Sequence, residues 1–184
     1  MNTTANRSFH PVVMFGLLVG GSFILSSILF DLSGKSNVLN PRLNNVISCL
    51  SIVGCFMGIK KYRDDRLDGL ISYGRAFGAG MKILLLAAAL YSFYTFALFS
   101  GTPELMEEYK SISNMILREV YGETSFHEAM AEVLDETLTP GLVAFGEFFR
   151  DILYGMFFLL VIAAILRRGL PPPPVNTNPT DRTT

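Results

Sequence analysis

Three ionisable residues stand together in an otherwise apolar stretch: Glu147, Arg150 and Asp151, in GLVAFGEFFRDILYGMFFLL. At i, i+3 and i+4 they lie on one face of a helix. Charge inside a bilayer is costly and marks a functional candidate by default. Three arrangements suit this set. The charges neutralise one another at the membrane interface, a carboxylate faces a bundle cavity and binds a proton or cation, or the group pairs with another subunit. A helix starting near Leu142 puts them only about 8 to 13 Å deep at 1.5 Å per residue, which favours the interfacial pair. A second group, Glu123, His127 and Glu128, offers metal-ligand types, with Glu123 and His127 at i and i+4 on a helix only if the break at Gly122 lies before them, and no second histidine is near. The other histidine, His10, falls on the opposite side of the membrane, so a solvated acidic face is the better reading. No nucleophile, metal-ligand or phosphate-loop spacing is present, H-E-x-x-H included. Neither enzymatic activity nor a cofactor nor a metal is expected.

The elements that must position these charges are membrane spans. Half of the 184 residues are hydrophobic and 17% are charged, against about 25% in a soluble domain. Mean hydropathy is +0.39. A net charge of −1 provides no basic field for nucleic acid. Cys49 and Cys55, six apart in one apolar run, point to different helix faces and read as small core residues, not a bridge. A hydrocarbon core about 30 Å thick needs about 20 apolar residues of helix. Four segments qualify, at about 11–30, 43–59, 76–100 and 144–166. The first is longer than a signal-peptide core and lacks an A-x-A site, so it reads as an uncleaved anchor.

Lys and Arg favour the cytoplasmic side. With four spans, the termini and the loop between spans two and three share one side and hold nine basic residues: Arg7, Lys60, Lys61, Arg63, Arg66, Arg75, Arg167, Arg168 and Arg182. The other side holds four, Lys35, Arg42, Lys110 and Arg118. Both termini are therefore expected in the cytoplasm, residues 1–10 as a short terminus and 169–184, Pro- and Thr-rich, as a disordered tail. A basic cluster beside a span can also bind anionic lipid, though Asp64, Asp65 and Asp68 dilute this one. Small residues four apart let helices approach closely in lipid. Gly16 and Gly20, Gly54 and Gly58, and Gly74 and Gly78 all have this spacing. They predict packing within one chain, or an interface with a second copy. Asp68-Gly69 predicts a turn, with Ser72 capping helix three. Arg75, Gly78 and Lys82 then fall near one face, where the two cations sit at headgroup height, the preferred reading, or face a partner carboxylate in the bundle.

The stretch GIKKYRDD, followed by GLISYGRAFGAGMKILLLAAALYSFYTF, resembles a bacterial inner-membrane family known as domain of unknown function 4199. The matching residues are Gly58, Ile59, Tyr62, Arg63, Ile71, Ser72, Tyr73, Gly74, Arg75, Ala76, Phe77 and Gly80. The resemblance implies a four-helix protein of the bacterial inner (cytoplasmic) membrane. It supplies no activity, substrate or catalytic residue.

Between spans three and four, residues 101–143 are acidic and patterned. Leu105, Tyr109, Ile112, Ile116 and Val120 fall at helical spacing, and so do Phe126, Met130, Val133, Leu134 and Leu138 after a capping box at Ser125 and Glu128. The expected fold is all-α: a bundle of four transmembrane helices with two amphipathic extracytoplasmic helices between spans three and four. The expected function is that of a non-enzymatic accessory or scaffold subunit, in contact with the lipid bilayer and with a membrane-protein partner or a second copy. The alternative is a small transporter or channel using Glu147, Arg150 and Asp151.

Overall fold

The computed structural model describes residues 10–33, 40–122 and 124–167. The expected N-terminus and tail, Glu123, and the side chains of Ser125, His127 and Glu128 (hence the capping box and the acidic trio) lie outside the described residues. Six helices occur among them and no strand: α1 Pro11–Leu32, α2 Pro41–Arg66, α3 Tyr73–Gly101, α4 Pro103–Tyr121, α5 Ser125–Thr137 and α6 Pro140–Leu166. Four of these, α1, α2, α3 and α6, are long and apolar enough to cross a membrane. The chain is thus an all-helical, multi-pass type of membrane protein.

Local chemistry sets the helix ends. Pro11, Pro41, Pro103 and Pro140 each begin a helix, where a missing N–H costs nothing. Asn40 caps α2 by accepting from Arg42 N at 3.0 Å, and Thr139 caps α6 by accepting from Leu142 N at 3.3 Å. Ser72 occupies the N-cap position of α3, but its side chain makes no capping hydrogen bond. The turn before it is left-handed at Asp68 (φ 49°) and Gly69 (φ 78°), and this stops α2. Until that point nothing interrupts α2, so Lys60, Lys61, Arg63 and Arg66 ride on the helix and not in a loop.

α3 is the central helix and packs against α1, α2 and α6. Its contact residues are small or branched: Ala76, Ile83, Leu84, Ala87 and Ala88 are fully buried, opposite Phe23, Ile59, Leu159 and Ala163. The outward faces are apolar, with Leu18, Leu29, Phe93, Phe157 and Ile165 exposed. Such an inverted surface suits lipid, because only the backbone must be satisfied internally.

The glycines separate by what a side chain would meet. Gly16 lies against Leu86, Gly20 against Leu90 and the Ala87 backbone, Gly54 against Val19, and Gly58 against Ile83 and Phe15. These are close crossings of α1 with α3, α1 with α2, and α2 with α3. Gly74 and Gly78 have nothing within 4 Å of an added Cβ. Gly80 lies instead against Leu159 and Ile59, because two residues on a helix turn the face by roughly 200°. Gly155, not singled out in the sequence, lies against Leu84.

The first half of α4 seats on the end of α3. Met106 packs with Phe99 and Val143, and the Tyr109 ring meets Phe99 edge-on at 5.7 Å. Ile112 and, just past the end of α5, Leu138 also pack on this cluster, while Ile116 and Val120 of the first predicted stripe and Phe126 of the second are exposed. α5 is held to α4 by Lys110 Nζ donating to Asp135 Oδ1 at 2.8 Å. This hydrogen bond raises Lys110 above the ordinary lysine value of 10.5. A raised folded value contributes stability that is fully present below the ordinary value and lost as the pH climbs through the folded one. Lys110→Gln should therefore speed α5 amide exchange at neutral pH. The difference from wild type should narrow in strong alkali and in high salt.

Candidate functional site

The three charges of α6 sit inside the bundle, one-third of the way from the end that α4 covers. Arg150 Nη1 donates to Glu147 Oε1 at 2.6 Å, Nη2 contacts Glu147 Oε2, and Nη2 also donates to Asp151 Oδ1 at 3.1 Å. The side chains of Glu147 and Arg150 are 16% and 24% exposed, and that of Asp151 is 5%. One guanidinium thus serves two carboxylates, leaving a formal charge of −1 on the group. Asp151 Oδ2 is buried and has no hydrogen-bond partner among the described residues.

α2 supplies a polar lining opposite α6. Arg150 and Asp151 border a cavity of about 240 Å³ with Asn44, Ser48, Ser51 and Tyr154. Ser48 Oγ donates to Asn44 O at 2.9 Å, and Ser51 Oγ donates to Ile47 O at 3.0 Å. Both hydroxyl hydrogens are therefore committed to their own helix, and what remains for the cavity is oxygen lone pairs. The free Asp151 oxygen adds a carboxylate acceptor, while Asn44, Asn45, Tyr154 and Arg150 bring donors, so the lining is polar and mixed.

A second, smaller cavity of about 30 Å³ lies on the other side of Arg150. Ser27, Tyr91, Thr95, Tyr109 and Glu147 border it. Tyr91 is buried with Phe23 edge-on at 5.9 Å. Tyr109 comes from α4, outside the spans. Burial raises its hydroxyl pKa above the usual tyrosine range, and the negative charge of Glu147 adds to this. The field of the cluster therefore reaches the covering helix.

The sequence pointed to Glu147, Arg150 and Asp151 because charges in an apolar run are conspicuous. The expected local pairing is present, and the structure turns the group inward, with Arg150 and Asp151 facing α2. Asn44, Ser48 and Ser51 were missed, although their i, i+4, i+7 spacing was a readable signal. The motif residues lie at the opposite end of the bundle. There Arg63 is buried and Nε donates to Asp64 Oδ1 at 2.8 Å, the Tyr62 and His10 rings meet tilted with centroids 5.4 Å apart, and Phe77 stacks on Tyr73. Gly80 forms a crossing there, while Ser72, Gly74 and Arg75 are exposed. Among the described residues, no group of His, Cys, Asp and Glu forms a metal site.

No curated protein and no solved structure matches the chain. One family model matches residues 14–168, nearly the whole of the spans and all of the site, and by it the chain belongs to the family described as Protein of unknown function (DUF4199).

Proposed function

We propose that this protein binds and passes a proton or a monovalent cation through the cluster of Glu147, Arg150 and Asp151. The observation that carries this reading is Asp151 Oδ2, a buried carboxylate oxygen without a hydrogen-bond partner among the described residues, on a net-negative group beside a polar cavity. An uncompensated buried charge is too costly to persist and is neutralised by a proton or a counter-ion. Intramembrane carboxylates with a charged partner are the usual parts of proton and ion paths. The membrane is a bacterial inner membrane with both termini cytoplasmic, a reading supported by the family resemblance and the nine-to-four bias of basic residues. The site then lies nearer the extracytoplasmic end of the bundle, the end on which α4 seats. The test is flux into liposomes, which Asp151→Asn should abolish.

A second reading, a non-enzymatic accessory subunit, is supported by the uncovered apolar surface of α4 and α5, where Met115, Val120, Phe126 and Val133 are exposed. A partner membrane protein covering that surface would co-purify stoichiometrically from native membranes in mild detergent. Loss of the second protein in Val120→Glu with Phe126→Glu would locate the contact. A homogeneous preparation of this chain alone would leave the first reading in sole possession.

A further inference from the structure

The basic stretch between α2 and α3 is not a uniform patch. Lys61 Nζ is paired with Asp65 at 3.2 Å, and buried Arg63 with Asp64 at 2.8 Å. Arg75 and Lys82 are exposed and have no ion-pair partner among the described residues. Both line a groove of about 460 Å³, with His10, Tyr62 and Gly78 beside them and Val12 on its floor. On α3, Arg75, Gly78 and Lys82 share a face, and the two cations are about 10 Å apart along the axis at 1.5 Å per residue. An added Cβ at Gly78 would meet nothing within 4 Å, so the step between the cations stays open.

The groove lies where the spans leave the apolar layer. Ile83 and Phe15 both lie against Gly58, so Lys82 is level with the ends of the apolar runs of α1 and α2. Arg75 lies about two turns nearer the water. One turn above Lys82, the same face continues with exposed Leu85 and later Phe96. From water to hydrocarbon the order is cation, gap, cation, apolar surface. A free phosphate would use only the lower part of this face, whereas a phospholipid uses all of it.

We propose that this groove binds the phosphate headgroup of an anionic phospholipid. Arg75 offers a planar fork to the phosphate oxygens, Lys82 snorkels down to the same group, and an acyl chain lies along Leu85. The site is at the far end of the bundle from the Glu147 cluster and stands or falls independently of it.

The experiment is native mass spectrometry of the full-length protein, extracted from bilayers of equal phosphatidylglycerol and phosphatidylcholine. Wild type should retain one phosphatidylglycerol per chain in preference to phosphatidylcholine. Arg75→Gln with Lys82→Gln should lower that retention roughly tenfold to thirtyfold, at about 1 kcal/mol for each cation near a membrane surface. Gly78→Leu, whose Cβ would meet nothing within 4 Å, should lower it by filling the groove at unchanged charge. Lys61→Gln should leave it unchanged. Equal retention of the two lipids, or undiminished retention in the double variant, would overturn the proposal. Displacement of the lipid by excess inorganic phosphate would also overturn it, because the site would then be one for free phosphate.

Discussion

Arg150→Met should cost about 3 kcal/mol of stability, the lower end of what removing one member of a buried ion pair costs. The loss comes less from the missing bonds than from the carboxylates left behind. Arg150 supplies the side-chain hydrogen bonds that the Glu147 and Asp151 carboxylates accept among the described residues, at 2.6 and 3.1 Å. Without it two negative charges face each other inside the bundle. Replacing all three, with Glu147→Gln and Asp151→Asn added, should therefore destabilise less than Arg150→Met alone. Unfolding of each variant in mild detergent measures the cycle. If the triple variant is no more stable than the single one, the three residues do not act as one electrostatic unit.

The second large effect falls at the α1–α3 crossing. Gly20→Leu should destabilise by about 1–3 kcal/mol, the range for overpacking a filled site, or force α1 away from α3. A Cβ at Gly20 would stand 3.1 Å from the Ala87 Cα and 2.9 Å from Leu90 Cδ1. The Ala87 atom is backbone and cannot rotate aside. Gly21 is the matched control: one residue on, it has no neighbour within 4 Å. Gly21→Leu should leave unfolding unchanged in the same detergent. Equal effects at the two positions would mean that α1 does not pack as described.

These two cases show what could be read from the residues and what could not. The spans are legible because bilayer thickness imposes a length and hydropathy is a local property. The helix-packing role of Gly16, Gly20, Gly54 and Gly58 follows from spacing alone. Which glycine of α3 meets a neighbour does not, because that depends on how the helix is rotated in the bundle. Gly80 is turned inward while Gly74 and Gly78 are turned out. The same limit applies to the site. A charged trio in an apolar run is conspicuous, and its depth is set by counting residues from Pro140. Its direction is set by α2, whose Asn44, Ser48 and Ser51 read locally as a mildly polar stretch. They become a cavity wall only when α6 lies beside them. Arg63 illustrates the converse. In the sequence it is one of several interfacial cations, and in the fold it is 6% exposed because α2 continues past the apolar run and keeps its face against the bundle. α4 is intermediate: its stripe predicts a seated helix, but only the half nearest α3 finds an apolar surface to sit on.

The most direct measurement is flux into liposomes of the purified full-length protein, driven in separate runs by a proton gradient and by a sodium or potassium gradient. The prediction is that wild type carries protons or one of these cations, that Asp151→Asn abolishes the flux, and that Glu147→Gln reduces it strongly. Gly21→Leu should transport like wild type. Absence of flux in every arm, or flux unchanged in Asp151→Asn and Glu147→Gln, would contradict an ion path through the cluster and leave the charges a structural role.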